Sequence, residues 1–337
     1  MIKSSNRQWR SPVRAELLAM LRETDGYVSG QKVCETFQVS RTAVWKAVNQ
    51  LRKSGYEIEA VPNKGYRLLS MPDLLNKNEL LSRRRTEWIG KDTLCYETID
   101  STNAQAKRLA EEGYGNGTLI VANYQEAGRG RRGRSWQSPA DTTISMSLLL
   151  KPDINPNNAS MITLVAALAV SKAITQLTGL PAGIKWPNDI VMNGKKVCGI
   201  LTEMSAQFDY VNHIVVGIGI NVNTQEFPEE IKETAGSLYL QSGKRVSRAD
   251  LIEAVWEQFE IVYERYLQTQ DLYYLVKDYN ARLVNMNQKV KVLDPKETFE
   301  GTARGITARG ELMVDTWESR KLVSSGEVSV RGIYGYV

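Results

Sequence analysis

The sequence has few of the features that mark secreted, redox or membrane proteins. Its three cysteines, Cys34, Cys95 and Cys198, lie far apart and form neither a CxxC pair nor a disulfide framework, which agrees with a reducing compartment and predicts packing roles. The longest apolar run, 159–174, is interrupted by polar residues and falls short of the roughly 18 to 20 residues that span a bilayer, so it predicts a buried helix. The first residues are polar and basic with no apolar segment behind them. We therefore expect no secretory signal, no membrane anchor and a cytoplasmic protein.

Long low-complexity tracts are also missing, so the chain should be folded nearly throughout. Its 337 residues are about twice the usual size of one domain, which predicts two or three domains. Residues 1–70 hold 12 Lys and Arg against 6 Asp and Glu, whereas the remainder holds 31 against 32. A basic small domain joined to a nearly neutral large one indicates that the first binds a polyanion, with nucleic acid as the first candidate.

The N-terminal segment has the pattern of a winged helix-turn-helix. Apolar residues recur at helical spacing over 13–21, a second helix is capped at Ser29, and a third is capped at Ser40 and runs over 41–53. Alternating residues from Tyr56, a turn and a returning strand then predict a β-hairpin wing with a basic tip.

The third helix buries an apolar stripe and leaves polar and basic side chains outside. Because a recognition helix enters the major groove while the wing contacts the backbone or minor groove, we expect DNA contacts on both elements. The predicted DNA-binding residues are Ser40, Arg41, Thr42, Lys46, Gln50, Lys64 and Arg67. A protein-docking module is the alternative that the pattern leaves open.

The most informative segment is the stretch 125–136, QEAGRGRRGRSW. Its glycine spacing matches the dinucleotide-binding fingerprint, but that site needs a helix immediately afterwards, and a strand-like run at 142–151 follows instead. RNA-binding arginine-glycine tracts are usually long and repeated, whereas this one is single and lies between predicted strands. Arginines offer bidentate donors, and glycines let the backbone curl around a ligand. The segment therefore predicts an anion cage that is mobile until an anion binds.

Further polar residues follow predicted strands. Residues 100–103, DSTN, form a strand-to-helix turn that is either a helix cap or part of a ligand site. The run 183–192 reaches an Asn-Gly turn and returns through Lys195 and Lys196, whose side chains must point to opposite faces of the strand, so at most one of them enters a site.

Three motifs carry a resemblance to a known family. The segments GRGRRG at 128–133, KWPND at 185–189 and GIGIN at 217–221, in this order and spacing, resemble the biotin protein ligases. With the winged helix in front, nearly all of the chain resembles the bifunctional ligases that also repress the biotin operon.

The resemblance implies an α+β multidomain fold. It places a winged helix-turn-helix DNA-binding domain at 1–70, a central α/β ligase domain with a mixed sheet at 71–282, and an SH3-like small β-barrel at 283–337. Short alternating runs separated by Gly and Asp turns agree with a small barrel in the last segment.

The resemblance also implies a two-step reaction. Biotin and ATP would give biotinyl-5′-AMP, and a lysine of a biotin carboxyl carrier protein would then displace AMP. The implied catalytic residues are Lys196, Arg129 and Arg131. The implied biotin-binding residues are Ser101, Thr102, Asn103, Gln125, Arg129, Gly130, Arg131 and Lys196, with Trp136 in the apolar wall. The implied nucleotide-binding residues are Arg131, Arg132, Arg134, Lys185, Asn188 and Asn221, with Asp189 also on the ATP side.

Mg²⁺ is the implied phosphate-neutralising ion, although no ligand for it is identified. The lone His213 matches no functional position of the family. The segment 224–244, where the family covers the adenine, matches too poorly to name a residue.

The family also implies regulation. Biotinyl-AMP would act as corepressor by ordering the arginine loop and strengthening a homodimer through adjacent sheet edges, so that two winged helices meet a palindromic operator of biotin synthesis or uptake genes. No membrane partner is expected. The alternatives are a lipoate ligase, a sensor that binds its small molecule without reacting, and a ligase whose winged helix has lost its operator and persists as a folding module.

Overall fold

The computed structural model describes residues 13–294, 297–326, 328–332 and 336. The segment 1–12, on which the expectation of no secretory signal rests, lies outside the described residues. The chain divides into two compact units, Met1–Arg84 and Arg85–Val337.

The first unit is a helix-turn-helix followed by a hairpin, as predicted. Its elements are α1 (Val13–Glu23), α2 (Gly30–Phe37), α3 (Arg41–Lys53), β1 (Glu57–Val61), β2 (Gly65–Ser70) and α4 (Lys77–Arg83). The Ser29 and Ser40 hydroxyls accept the backbone N–H of Lys32 and Ala43, so both predicted caps form. The chain turns between α2 and α3 at Gln38, which has a left-handed φ of 53°.

The first unit extends beyond the predicted domain boundary at residue 70. The cause is Glu79 on α4, which is 1% exposed. Its carboxylate accepts hydrogen bonds from Arg22 of α1 and from the Tyr56 hydroxyl, and lies 2.6 Å from the Arg83 guanidinium. Because a buried carboxylate needs such partners, α4 is tied to this unit, and the unit ends at Arg84.

The second unit is built on a seven-stranded sheet with the order β3-β4-β5-β9-β8-β7-β6. The strands are β3 (Thr93–Ile99), β4 (Thr118–Gln125), β5 (Thr143–Leu150), β6 (Gly183–Lys185), β7 (Asp189–Met192), β8 (Lys195–Ala206) and β9 (Val211–Asn221). Strands β3 and β4 pair in parallel and the other pairs are antiparallel, which makes the sheet mixed as predicted. The predicted run 183–192 is two strands, because the chain turns at Trp186–Asn188 and places Lys185 opposite Asp189.

The helices of this unit are α5 (Thr102–Glu111), α6 (Met161–Thr178), α7 (Leu238–Ser242), α8 (Arg248–Thr269) and α9 (Val276–Asn280). By length and composition, the stretch 156–178 could cross a membrane. However, twelve side chains of α6 are buried, and the helix packs against α8 and the sheet. Helix α6 is therefore the core helix that the apolar run predicted.

A second, antiparallel sheet forms the C-terminal part of the same unit, with the order β13-β12-β11-β10-β14. Its strands are β10 (Lys289–Leu293), β11 (Thr298–Ile306), β12 (Leu312–Asp315), β13 (Arg320–Val323) and β14 (Ser329–Gly332). Alternating runs in the sequence at 289–293, 298–306, 312–316 and 321–323 predicted the first four strands and missed β14. The expected domain boundary at 282 does not separate compact units, in part because the buried indole of Trp186 donates a 3.0 Å hydrogen bond to the Gly310 carbonyl.

Candidate functional site

One pocket lies where the N-terminus of α5 faces β4, β5, β8 and β9, and we call it the deep pocket. All eight residues predicted to bind biotin line it. The lining is Ser101, Thr102, Asn103, Gln125, Arg129, Gly130, Arg131, Trp136, Met146, Asn188, Lys196, Gly199, Ile200, Leu201, Gly217, Ile218 and Gly219. The fold therefore brings together residues that lie up to 118 positions apart in the chain.

The start of α5 supplies the polar end of the deep pocket. Ser101 is the N-cap of the helix, and its hydroxyl accepts the Ala104 N–H at 3.4 Å. The Thr102 N–H donates to Gln125 Oε1 at 2.8 Å, and Gln125 Nε2 donates to the Ser145 hydroxyl at 3.1 Å. The turn is therefore a helix cap and a pocket lining at once, which the sequence had posed as alternatives.

Glycines on two adjacent strands make room for the Trp136 ring. Gly199 of β8 lies opposite Gly219 of β9. A Cβ added at Gly219 would lie 2.4 Å from Trp136 Cε2, so no other residue fits there without moving the ring. The indole nitrogen of Trp136 is buried and has no hydrogen-bond partner among the described residues.

The arginine-glycine segment is a loop that folds back on itself, as Gly130 N–H donates to the Arg134 carbonyl at 2.7 Å. Arg131 is the least exposed of its four arginines: it donates to Asn188 Oδ1 at 2.7 Å and to the Gly326 carbonyl at 2.5 Å, and burial lowers its pKa. Arg129, Arg132 and Arg134 are exposed. Arg132 and Arg134, which the resemblance assigned to the nucleotide, do not line the deep pocket. That the loop is mobile until an anion binds stays a prediction.

Lys196 lies at the mouth of the deep pocket. Its ammonium is 2.7 Å from Asp189 Oδ1 and 5.7 Å from the centre of a Trp136 ring. Lys195 points to the other face, where it donates to the Glu233 carbonyl at 2.5 Å. Only one of the two lysines enters the pocket, as the strand alternation predicted.

Lys185, predicted to bind the nucleotide, is buried beside an aromatic ring. It is 6% exposed, and its ammonium lies 3.4 Å from the centre of the Tyr336 ring. The Tyr336 hydroxyl in turn donates to Asp189 Oδ2 at 2.5 Å. Burial lowers the pKa of Lys185 to about 8. Nothing in the sequence pointed to Tyr336, because it lies 147 positions from its partner Asp189 in the chain.

A second pocket, which we call the outer pocket, adjoins the first and shares Trp136 and Lys196 with it. Its lining is Ser135, Trp136, Gln137, Pro139, Lys196, Asn221, Thr224, Glu226, Phe227, Pro228, Ile231, Thr234 and Ala235. Seven of these come from the segment 224–244, for which no residue was predicted. The backbone of this segment is fixed to β8, since Lys196 N–H donates to the Thr234 carbonyl at 2.7 Å.

The first unit carries the predicted DNA-binding face. On α3, Val44, Ala47, Val48 and Leu51 are buried, whereas Arg41, Thr42, Trp45, Lys46 and Gln50 are exposed. On the wing, the cations of Lys64 and Arg67 lie 5.7 and 6.0 Å from the centre of the Tyr27 ring. The exposed Trp45 places an apolar surface among these polar and basic side chains.

The described residues contain no group of three or more His, Cys, Asp or Glu that could hold a metal ion. His213 lies on β9 outside both pockets, and burial lowers its pKa. His213 therefore contacts neither pocket.

Comparisons with protein families match three parts of the chain. The Biotin/lipoate A/B protein ligase family matches residues 95–221, an HTH domain matches 13–67, and the Biotin protein ligase C terminal domain matches 286–331. The matched parts correspond to the mixed sheet with the deep pocket, the helix-turn-helix with its wing, and the C-terminal sheet.

Individual proteins match over greater lengths. The chain is 40% identical over 326 residues to the bifunctional ligase/repressor BirA of Bacillus subtilis, covering 95% of this chain and 99% of that one. It is 32% identical to the biotin–[acetyl-CoA-carboxylase] ligase of Mycobacterium tuberculosis, covering 68% of this chain and 85% of that one. Among solved structures, the biotin protein ligase of Aquifex aeolicus in complex with biotin and ATP superposes with a TM-score of 0.64 at 32% identity, covering 72% of this chain and 99% of that one.

Proposed function

The chain belongs to the family of bifunctional biotin protein ligases and repressors, and on that premise we propose that it joins biotin to a carrier protein at the expense of ATP and represses transcription through its helix-turn-helix. One observation supports the ligase activity above all. The deep pocket and the outer pocket meet at Lys196 and Trp136. A carboxylic acid in the first and a nucleotide in the second would bring their reacting groups together beside the Lys196 ammonium.

In the first step, a biotin carboxylate oxygen attacks the α-phosphorus of ATP. The new oxygen–phosphorus bond forms as the bond to the β-phosphate oxygen breaks, giving biotinyl-5′-AMP and pyrophosphate. Both reactants are anions, so the step depends on positioning and on cations that neutralise the developing charge. We assign that role to Lys196, Arg129 and Arg131, which all line the deep pocket.

The remaining assignments follow the two pockets. Biotin binds in the deep pocket, with its polar ring system at the start of α5 and its carboxylate toward Lys196. The nucleotide binds in the outer pocket, where Asn221 holds one wall and Phe227 offers an apolar surface to the base. Arg132 and Arg134 reach the phosphates from the solvent side. Asn188 donates a hydrogen bond to Asp189 and supports it beside the phosphates. Lys185 is covered by the Tyr336 ring, so it contacts a phosphate only if that ring moves aside.

Mg²⁺ fits this site as an ion that arrives with ATP. It keeps several waters and usually binds through one or two carboxylates together with substrate phosphates. Asp189 is the carboxylate beside Lys196, and the described residues offer no cage of three acidic or histidine ligands. When bound, the ion would supply neutralisation of phosphate charge.

In the second step, the unprotonated amine of a carrier lysine attacks the biotinyl carbonyl carbon and AMP leaves. The carrier is the biotin carboxyl carrier part of acetyl-CoA carboxylase or of another biotin-dependent carboxylase. We propose that the five C-terminal strands form an SH3-like barrel that helps close the site. The hydrogen bond from Arg131 to the Gly326 carbonyl, which joins this sheet to the arginine loop, supports that role.

The repressor activity requires a dimer on DNA. We propose a homodimer that pairs sheet edges, that biotinyl-AMP strengthens and that binds a palindromic operator of biotin synthesis or uptake genes. We also propose a cytoplasmic protein with no membrane partner, since α6 is buried in the core. Sedimentation velocity with and without biotin plus ATP tests the linkage, and equal dimerisation under both conditions contradicts it.

Exchange of labelled pyrophosphate into ATP tests the ligase activity. We expect exchange with biotin, and none with lipoate or without an acid. Exchange with lipoate alone would make the chain a lipoate ligase. No exchange with either acid, combined with biotin binding in a calorimeter, would favour a sensor that binds without reacting.

A further inference from the structure

Six residues form one chain of hydrogen bonds along the polar end of the deep pocket. It starts at an ion pair, in which the Lys107 ammonium lies 2.6 Å from Glu203 Oε1. The members in order are Lys107, Glu203, Asn103, Ser147 and Thr102, and the Thr102 backbone N–H continues the chain to Gln125. Because the one Ser147 hydroxyl proton goes to Asn103, the Thr102 hydroxyl donates to Ser147. Three of them, Asn103, Thr102 and Gln125, line the pocket, whereas Glu203 lies behind it.

The carboxylate of Glu203 gives this chain a direction. An ionised carboxylate only accepts hydrogen bonds, so the Asn103 group that faces it must be the donating Nδ2, at 2.8 Å. The same Nδ2 lies 3.2 Å from the Leu201 carbonyl, a weaker neutral acceptor. Asn103 Oδ1 is thereby turned toward the Ser147 hydroxyl, which donates to it at 2.6 Å.

Packing around the Asn103 amide leaves only rotation about its Cβ–Cγ bond. The residue is 7% exposed, and a Cβ added at Gly217 on β9 would lie 2.1 Å from Asn103 Oδ1. The amide therefore lies flat against the glycine of the strand and cannot shift sideways. It can only exchange its oxygen and nitrogen, and a carboxylate opposes that exchange more strongly than a neutral group does.

Glu203 is ionised at neutral pH. Burial raises the pKa of this carboxyl. The hydrogen bonds from Lys107 and Asn103 lower the pKa, and the net shift is downward. Lys107 and Asn103 lie one turn apart on the same face of α5, so one helix supplies both partners of the carboxylate.

We propose that Glu203 is a positioning residue for biotin recognition, whose carboxylate holds the Asn103 amide with its oxygen toward Ser147 and the pocket. The deep pocket then presents a fixed hydrogen-bond acceptor to an N–H group of the ligand's ureido ring. This inference rests on the proposed function, since it concerns how the same pocket recognises biotin.

Biotin titration calorimetry on the full chain tests the proposal with Glu203→Gln. Glutamine keeps the size of the side chain but can donate as well as accept, so the amide of Asn103 is released to rotate. We expect biotin affinity to fall roughly tenfold, as for loss of a hydrogen bond to a charged group, and ATP affinity to stay unchanged. Glu111→Gln, which removes an exposed carboxylate at the end of the same helix, is the matched control and should bind biotin like the wild type.

A double-mutant cycle separates positioning from a structural role. If Glu203 acts through Asn103, then Glu203→Gln should have no further effect on biotin affinity in the Asn103→Ala background. An equal loss in both backgrounds, or wild-type affinity in the single variant, overturns the proposal. Lys107→Met is the second variant, which leaves the acceptor in place and should change biotin affinity by no more than about twofold. Absence of biotin binding by the wild type would instead overturn the proposed function and this inference with it.

Discussion

The two cationic surfaces of the molecule differ in what surrounds their charges. On α3, Arg41 and Lys46 are exposed to solvent. At the ligase site, Arg131 donates to Asn188 and a backbone carbonyl, and Lys196 pairs with Asp189. The exposed cations of α3 are open to a polyanion, whereas Arg131 and Lys196 already have partners that an incoming phosphate must replace.

The difference teaches how each surface gains specificity. Exposed cations attract any phosphate backbone, and their contribution is weakened by salt. Partly buried cations are fixed in direction and desolvated before the substrate arrives, so their effect on a transition state is larger and depends on position. Substitutions should therefore have large effects at the ligase site and small, salt-dependent effects on α3.

The largest expected effect is that of Lys196→Met. Removing the ammonium between the two pockets should reduce biotin-dependent pyrophosphate exchange by about 100-fold or more, as for loss of one preorganised charge-stabilising group. Lys195→Met is the control, because the neighbouring lysine points to the opposite face and should leave exchange nearly unchanged. Similar losses of exchange in both variants would contradict a specific role for Lys196.

The next largest effect is expected on biotin affinity when Gly219 gains a methyl group. Gly219→Ala would place a Cβ 2.4 Å from the Trp136 ring, and overpacking of this kind costs about 1–3 kcal/mol. We expect biotin binding to weaken by roughly 30-fold in calorimetry, because the ring must leave the sheet that forms the pocket floor. Gly115→Ala is the control, since an added Cβ there meets nothing within 4 Å. Unchanged binding by Gly219→Ala would show that the ring is not needed where it lies.

A smaller effect is expected on the exposed surface. Lys46→Ala should weaken operator binding a few-fold and reduce the slope of log affinity against log salt by about 1, as for loss of one phosphate contact. Pyrophosphate exchange should stay at the wild-type level. Lys77→Ala removes an exposed lysine of α4 outside the helix-turn-helix and wing, and serves as the control in the same fluorescence-anisotropy titration. A change in affinity without a change in slope would argue against a phosphate contact at Lys46.

The sequence predicted the parts of the molecule that local patterns specify. Helical spacing and two serine caps located the helix-turn-helix, and strand alternation decided which of Lys195 and Lys196 enters the pocket. The mixed sheet came from the resemblance to the family. These features depend on residues that are close together in the chain or on motifs with fixed spacing.

The features that the sequence missed depend on contacts between distant residues. Glu79 holds α4 to the first unit through Arg22 and Tyr56, and nothing in the charge pattern revealed this. Likewise the Tyr336 ring covers Lys185 from 151 positions away, and no sequence pattern connects the two residues. The outer pocket uses the segment 224–244, which has no regular periodicity to mark its residues.

The smallest expected effect tests whether the buried Lys185 takes part in nucleotide binding. Because burial lowers its pKa to about 8, the ligand-free protein loses this positive charge as pH rises through that value. Any ATP affinity that depends on the charge is therefore complete near pH 7 and lost near pH 9, and we expect binding to weaken roughly threefold across that range. Lys185→Arg keeps its charge throughout and should remove the dependence on pH. If both proteins show the same pH profile in ATP titrations, Lys185 is a buried structural cation, and the phosphates depend on Lys196 and the arginine loop alone.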